Sequence, residues 1–144
     1  MSKKVFLGGT CNYSRWREEL IKMINIDFFN PVVKDGNEEA RKEELKQREE
    51  CDYCLYTITP KMLGYYSIAE VIDDSNKRPD KTIFCVLPYE IEFKQNNITG
   101  EPVYKFFTKE QFYSLEQVGQ MVERNGGKYF CSLKEVADYL NKEV

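Results

Sequence analysis

Four short apolar runs constrain the fold more than any other feature of the chain: KVFLG at 4–8, IDFF at 26–29, CLYTI at 54–58 and TIFCVL at 82–87. Each is strand-like in composition and too short for a buried helix. The segments between them have helical character. Residues from Trp16 to about Ile24 are amphipathic, and EEARKEELKQREE at 38–50 combines strong helix formers with acid and base pairs four residues apart. IAEVIDDS at 68–75 opens a third helix, after a loop TPKMLGYYS at 59–67 and before the breaking sequence SNKRPD. Strand and helix thus alternate four times, which predicts an α/β chain: a small doubly wound parallel sheet of the flavodoxin or Rossmann-like kind, in three layers α/β/α. In such sheets a ligand binds beyond the carboxyl ends of the strands.

The remainder adds a generic ending. Residues 88–103 read as a longer polar connection, EQFYSLEQVGQMVERN (110–125) as a helix stopped by Gly126 and Gly127, and KYFCS (128–132) as a last strand. A final helix starts at Ser132, with Glu135 placed to complete a capping box. With 144 residues, 42% hydrophobic and 31% charged, the composition fits one soluble domain over 1–144. No run of about 18 apolar residues occurs and the start does not resemble a signal peptide, so the expectation is a cytoplasmic protein with no membrane partner.

Several chemistries are disfavoured. The net charge is −3 with basic and acidic residues interleaved, which offers no positive field for a nucleic acid polymer. There is no histidine, which removes the commonest general base and every Ser-His or Cys-His nucleophile. The five cysteines (11, 51, 54, 85 and 131) are an odd set, and Cys51 and Cys54 form a single CxxC at the start of a strand. That placement fits neither a zinc site nor a thioredoxin motif, so no metal and no cofactor is expected and redox chemistry is a distant reading. Catalysis, if present, must rest on carboxylates, Tyr, Lys, Arg or Cys.

Three clusters fall at strand ends: GGTCN at 8–12, NPVVKD at 30–35 and GYYSIAE at 64–70. Glu70 is expected in the first turn of its helix, where the dipole keeps a carboxylate ionised as a nucleophile or base, although a glutamate there also simply favours a helix start. Gly8, Gly9, Thr10 and Asn12 lack the spacing of a dinucleotide fingerprint, and the two glycines are expected to let backbone approach a sugar or base. Trp16 reads as a core residue, while Arg17 could hold a phosphate. Tyr65, Tyr66 and Ser67 offer stacking rings and hydroxyls, or merely packing.

Taken in order, VFLGGT, the Trp16 and Arg17 pair, FFNP at 28–31, a helix whose Glu44 stands eight residues before Asp52, and SIAE ending at Glu70 resemble the nucleoside 2-deoxyribosyltransferase-like family over roughly residues 4–87. The resemblance implies that Glu70 attacks the anomeric carbon of a nucleoside or nucleotide and carries the sugar as a covalent ester, by transfer or hydrolysis. It also implies substrate contacts near Asn30 and Pro31, and a homo-oligomer whose neighbours complete each site. The departing base needs a proton. Glu44 is the choice for its donor, since it matches a substrate-contacting acid of the family and lies on the helix stripe of Ala40, Gln47 and Cys51, with Asp35 as the rival. The chain departs from the better-known transferases at Gly64, where they carry an aspartate that contacts the base, and at Phe6, where they carry a tyrosine that orients the nucleophile. A catalytically silent module that binds a nucleotide-like ligand is the alternative.

Overall fold

The computed structural model describes residues 2–11, 13–33, 36–95 and 100–142. The four apolar runs form strands β1 (Lys4–Gly9), β2 (Asp27–Phe29), β3 (Tyr53–Ile58) and β4 (Thr82–Val86), and β7 (Lys128–Phe130) completes a parallel sheet of order β2-β1-β3-β4-β7. Helices α1 (Trp16–Ile21), α2 (Glu38–Glu50), α3 (Tyr66–Lys77), α4 (Lys109–Arg124) and α5 (Leu133–Asn141) cover its two faces. This is the doubly wound three-layer fold that the alternation predicts.

Period-two patterning divides the core. Val5, Leu7, Tyr53, Leu55, Ile83 and Cys85 point to one face, where Trp16 and Leu20 of α1 and Val136 and Leu140 of α5 cover them. Phe6, Cys54, Tyr56, Ile58, Phe84 and Val86 point to the other, against Val71 of α3 and Leu115 and Val122 of α4. Both faces of β3 and β4 are therefore buried, which is why their sequences are continuous apolar runs without alternation.

The chain leaves β1 toward β2 on one side and returns to β3 on the other. Right-handed crossovers then put α1 on one face and the later connections on the opposite one. The strand order reverses between β1 and β3, and the carboxyl ends of these two strands open a crevice there.

Two elements differ from the sequence reading. Residues 88–103 are not a plain connection: β5 (Tyr89–Gln95) and β6 (Pro102–Phe106) pair as an antiparallel ribbon outside the main sheet. Its polar residues alternate with aromatic ones, and Tyr89, Ile91, Tyr104 and Phe106 share one exposed face. Helix α3 begins at Tyr66 rather than Ile68, so the loop after β3 is shorter than predicted. At the final helix the Ser132 hydroxyl caps the Glu135 N–H at 3.2 Å and donates to the Glu135 carboxylate at 3.0 Å, a variant of the predicted box.

The β1 glycines are fixed by packing. At Gly9, φ is +119°, and a Cβ would stand 2.0 Å from the Thr57 carbonyl oxygen of β3. A Gly9→Ala substitution is therefore expected to destabilise the fold by about 2 to 4 kcal/mol, through both left-handed strain and the clash. Urea unfolding measures it, and a midpoint within error of wild type would mean that β1 and β3 part without loss.

Candidate active site

Glu70, Asp73 and Asp74 lie three and four residues apart on α3, so they share one helix face, and that face meets α2. Val71 beside them is fully buried against the sheet and anchors the helix. From α2 comes Arg48, whose side chain is only 5% exposed despite its highly charged segment. Its Nε and Nη2 donate to the two Asp74 carboxylate oxygens at 3.2 and 2.9 Å, and Nη2 also donates to Asp73 at 3.1 Å. Arg48 Nη1 stands 3.5 Å from Glu70 Oε2. Asp74 is held further by the Tyr56 hydroxyl at 2.5 Å and by Arg78 at 2.9 Å.

Above the crevice between β1 and these helices is a cavity of about 300 Å³. Its walls include Gly8, Gly9 and Arg17 from the end of β1 and the start of α1, Pro31 from the loop after β2, Glu44 from α2, and Tyr66, Ser67 and Glu70 from α3. These predicted residues are thus brought together from segments up to 62 positions apart in the chain, Gly8 to Glu70. A second cavity, of about 440 Å³, is lined by Arg41, Leu45 and Arg48 and shares Glu44, Tyr66 and Glu70 with the first. The two carboxylates stand where the cavities meet.

Other predicted residues have different places. Thr10 is buried; its hydroxyl accepts the Thr59 N–H at 3.0 Å, and it is not on the cavity wall. The Asn30 side chain accepts the Val32 N–H at 3.0 Å and shapes the loop whose Pro31 does reach the cavity. Tyr65 precedes α3, is exposed, and is not part of the wall. Asn12 and Asp35 lie outside the described residues.

Arg17 donates through Nε, Nη1 and Nη2 to the carbonyls of Leu7, Thr10 and Gly9 at 2.9, 2.7 and 3.1 Å, and stacks over Trp16 with its guanidinium carbon 4.5 Å from the ring centre. It braces the end of β1 while lining the cavity. Burial pulls its pKa down to about 10, which still leaves it cationic at neutral pH. The glycines also have an internal reason: a Cβ on Gly8 would meet the Tyr56 ring at 2.7 Å, as one on Gly9 would meet β3. Their missing side chains are filled from within, rather than being left open for a ligand.

The electrostatics reverse one expectation. Because α3 starts at Tyr66, Glu70 lies in the second turn, where the helix dipole has faded, and is not held ionised by it. Burial instead raises Glu70 to about 7, against the opposing pull of Arg48 and with Glu44 and Asp74 adding to the rise. Glu44 is also raised by burial, with Arg41, Arg48 and Arg17 opposing. Both carboxyls are thus raised by burial, Glu70 to about 7, which favours a proton held by the pair toward neutral pH. Burial would raise Asp74 too, but hydrogen bonds from Arg48, Tyr56 and Arg78 hold it below the usual carboxylate value.

Sequence reasoning missed Arg48, Asp74 and Tyr56, and also the cavity residue Gly36, while Phe6 and the strand-end clusters that hold Cys11, Val32 and Val33 were marked. The available signal was positional. Gln47, Arg48 and Cys51 are the buried residues at the end of α2, the stripe already marked by Ala40 and Glu44. Phe6 stacks on Phe29, ring centres 5.9 Å apart, and makes an apolar cavity wall. Among the described residues no group of three or more His, Cys, Asp or Glu is placed to hold a metal ion, and no helix is long and apolar enough to cross a membrane.

Residues 2–89 match the sequence profile of the family described as nucleoside 2-deoxyribosyltransferase like. The chain belongs to that family. The match covers β1 through β4, hence the switch point and every candidate site residue, and ends at the first residue of the ribbon. No curated protein matches the chain closely enough to count as a relative. Family membership supports a nucleoside-related role.

The raised carboxyl has a consequence for stability. A group whose folded pKa lies above its unfolded value favours folding when protonated; that contribution is complete below the ordinary carboxylate range and is lost as pH rises through about 7. Glu70→Gln, which mimics the protonated form, should be more stable than wild type at pH 8 by about 1 to 2 kcal/mol, a value discounted for solvent in the cleft, and nearly equal at pH 4. Urea unfolding at both pH values is the measurement. Equal stability at pH 8 would place Glu70 in an ordinary aqueous setting.

Proposed function

We propose that the protein cleaves or transfers the N-glycosidic bond of a nucleoside or nucleotide, most simply a 2-deoxy one, through a covalent glycosyl ester on Glu70. The observation that carries this reading is that two carboxyls from separate helices, Glu70 and Glu44, face one cavity at the carboxyl end of β1. Such a pair supplies what glycosidic substitution needs: one carboxylate to trap the oxocarbenium-like sugar and one acid to protonate what leaves.

A proton held by the two raised carboxyls fits a simple sequence of steps. A proton passes from Glu70 to Glu44 as substrate enters, leaving Glu70 ionised. The Glu70 oxygen attacks the anomeric carbon as the bond from that carbon to the base nitrogen breaks, and Glu44 gives its proton to the departing base. An acceptor base or water then attacks the same carbon, Glu44 takes the proton of the attacking group, and the Glu70 carboxylate is released. Tyr66 and Ser67 are suited to contact the base or sugar, and Arg17 lies where a nucleotide phosphate could meet a cation.

The reading includes a cytoplasmic homo-oligomer, supported by the exposed aromatic face of the ribbon, on which Phe106 is 65% exposed. The rival reading, a silent module that holds a nucleotide-like ligand, is favoured by the apolar Phe6 wall, which offers the nucleophile no hydrogen bond.

A panel of nucleosides and deoxynucleotides, with and without a free acceptor base, followed by chromatography of the released or exchanged base, separates these readings. Glu70→Ala should abolish release, and Glu44→Gln should lower it by roughly 10²-fold to 10⁴-fold, with Glu50→Gln on the exposed end of α2 as an unaffected control. Ligand binding without base release by the wild type would establish the silent module. Full turnover by Glu70→Ala would end the assignment.

A further inference from the structure

We infer that Arg48 is the positioning residue for Glu70: clamped by consecutive aspartates of α3, it fixes the carboxylate at the junction of the two cavities. This rests on the reading of Glu70 as the nucleophile. The argument begins with the shape of a guanidinium, which is planar and presents its donors in a rigid fork. Once Nε and Nη2 are both bound to Asp74 and Nη2 to Asp73, the position of Nη1 is set without a free torsion. Nη1 then stands 3.5 Å from Glu70 Oε2, so a small approach by an ionised Glu70 forms a charge-assisted bond.

The clamp is itself clamped. The Tyr56 hydroxyl and Arg78 bind the two Asp74 oxygens from the sheet and from the end of α3, so the strand that underlies the crevice is connected through Asp74 and Arg48 to Glu70. Phe6 forms an apolar wall on the β1 side, and the cation that acts on Glu70 comes from α2. Glu70 faces Arg48 and Glu44 from α2 and Asp74 and Tyr66 from its own helix, with Arg41 of α2 lining the second cavity and Arg17 and Cys11 standing across the first. Of these, Glu44 and Asp74 oppose its ionisation and Arg48 favours it.

The test uses Arg48→Gln and Arg48→Lys in the full chain, with two readouts. Carboxyl ¹³C NMR, assigned by loss of the signal in Glu70→Gln, follows the titration of Glu70 without any need for turnover. In Arg48→Gln its midpoint should rise by about one to three pH units. Base release at neutral pH should fall by about 10²-fold and recover as pH passes the new midpoint. Arg48→Lys keeps a charge but cannot serve Asp74 and Glu70 together, so its midpoint should move less while release still falls.

A midpoint unchanged in Arg48→Gln would overturn the proposal, as would release by Arg48→Gln at the wild-type level at neutral pH. If Arg48→Gln does not fold, Arg48→Lys and Asp74→Asn, which keeps Arg48 but loosens its fork, carry the same test. A shifted midpoint in a protein that releases no base from any substrate would leave Arg48 setting Glu70 and refute the catalytic reading instead.

Discussion

The bidentate contact between Arg48 and Asp74 is the interaction on which the site depends. It joins two helices that the sequence alone would leave as neighbours on one face of a sheet, and it does so with charges removed from water. Such a pair contributes little net stability compared with apolar packing, yet removing one partner leaves an uncompensated buried charge. Its value here is geometric. The guanidinium fork and the Tyr56 and Arg78 bonds determine how α2 and α3 meet, and thus where Glu44 and Glu70 stand relative to each other.

The crevice follows from a different constraint. β1 lies second from the sheet edge, with β2 on one side and β3 on the other, so its end marks the reversal of strand order. Close approach of β3 there is possible because Gly8 leaves room for the Tyr56 ring and Gly9 for the Thr57 backbone. Arg17 then ties three carbonyls near the end of β1. The glycines and arginine of the opening motif are explained by this bracing, and the cavity forms over the rigid turn that results.

The main sheet was legible in the sequence because β1, β2, β3 and β4 are short apolar runs separated by segments of helical pattern, and because the right-handed crossover leaves few ways to join them. The ribbon was not, since two strands with only one apolar face, joined by a mostly polar sequence, have the composition of a loop. Glu70 could be singled out through its place in a motif near a helix start, and Glu44 through its stripe. Arg48 could not, because EEARKEELKQREE reads as a solvated helix and only the acids of α3, distant in sequence, make burial of an arginine there tolerable. Helix α3 starts two residues earlier than the sequence pattern indicates, which moves Glu70 out of the first turn and leaves burial as the main influence on its carboxyl.

That control exposes a conflict within the site. On the proposed reading Glu70 has to be ionised to attack, yet it is buried beside Glu44 and one turn from Asp74, both of which resist a further negative charge. In the proposed mechanism, a Glu70 with no cation beside it would hold its proton more tightly, and one already fully bonded would attack less readily. A guanidinium 3.5 Å away, held back by two aspartates, lies between these limits. It favours ionisation of Glu70, and the short charge-assisted contact forms only as the carboxylate ionises and moves toward it. The same arrangement leaves the folded protein less stable when Glu70 is charged, so the strain that makes the carboxyl responsive near neutral pH is carried by the fold, through the Asp74 contacts that connect α2, α3 and β3.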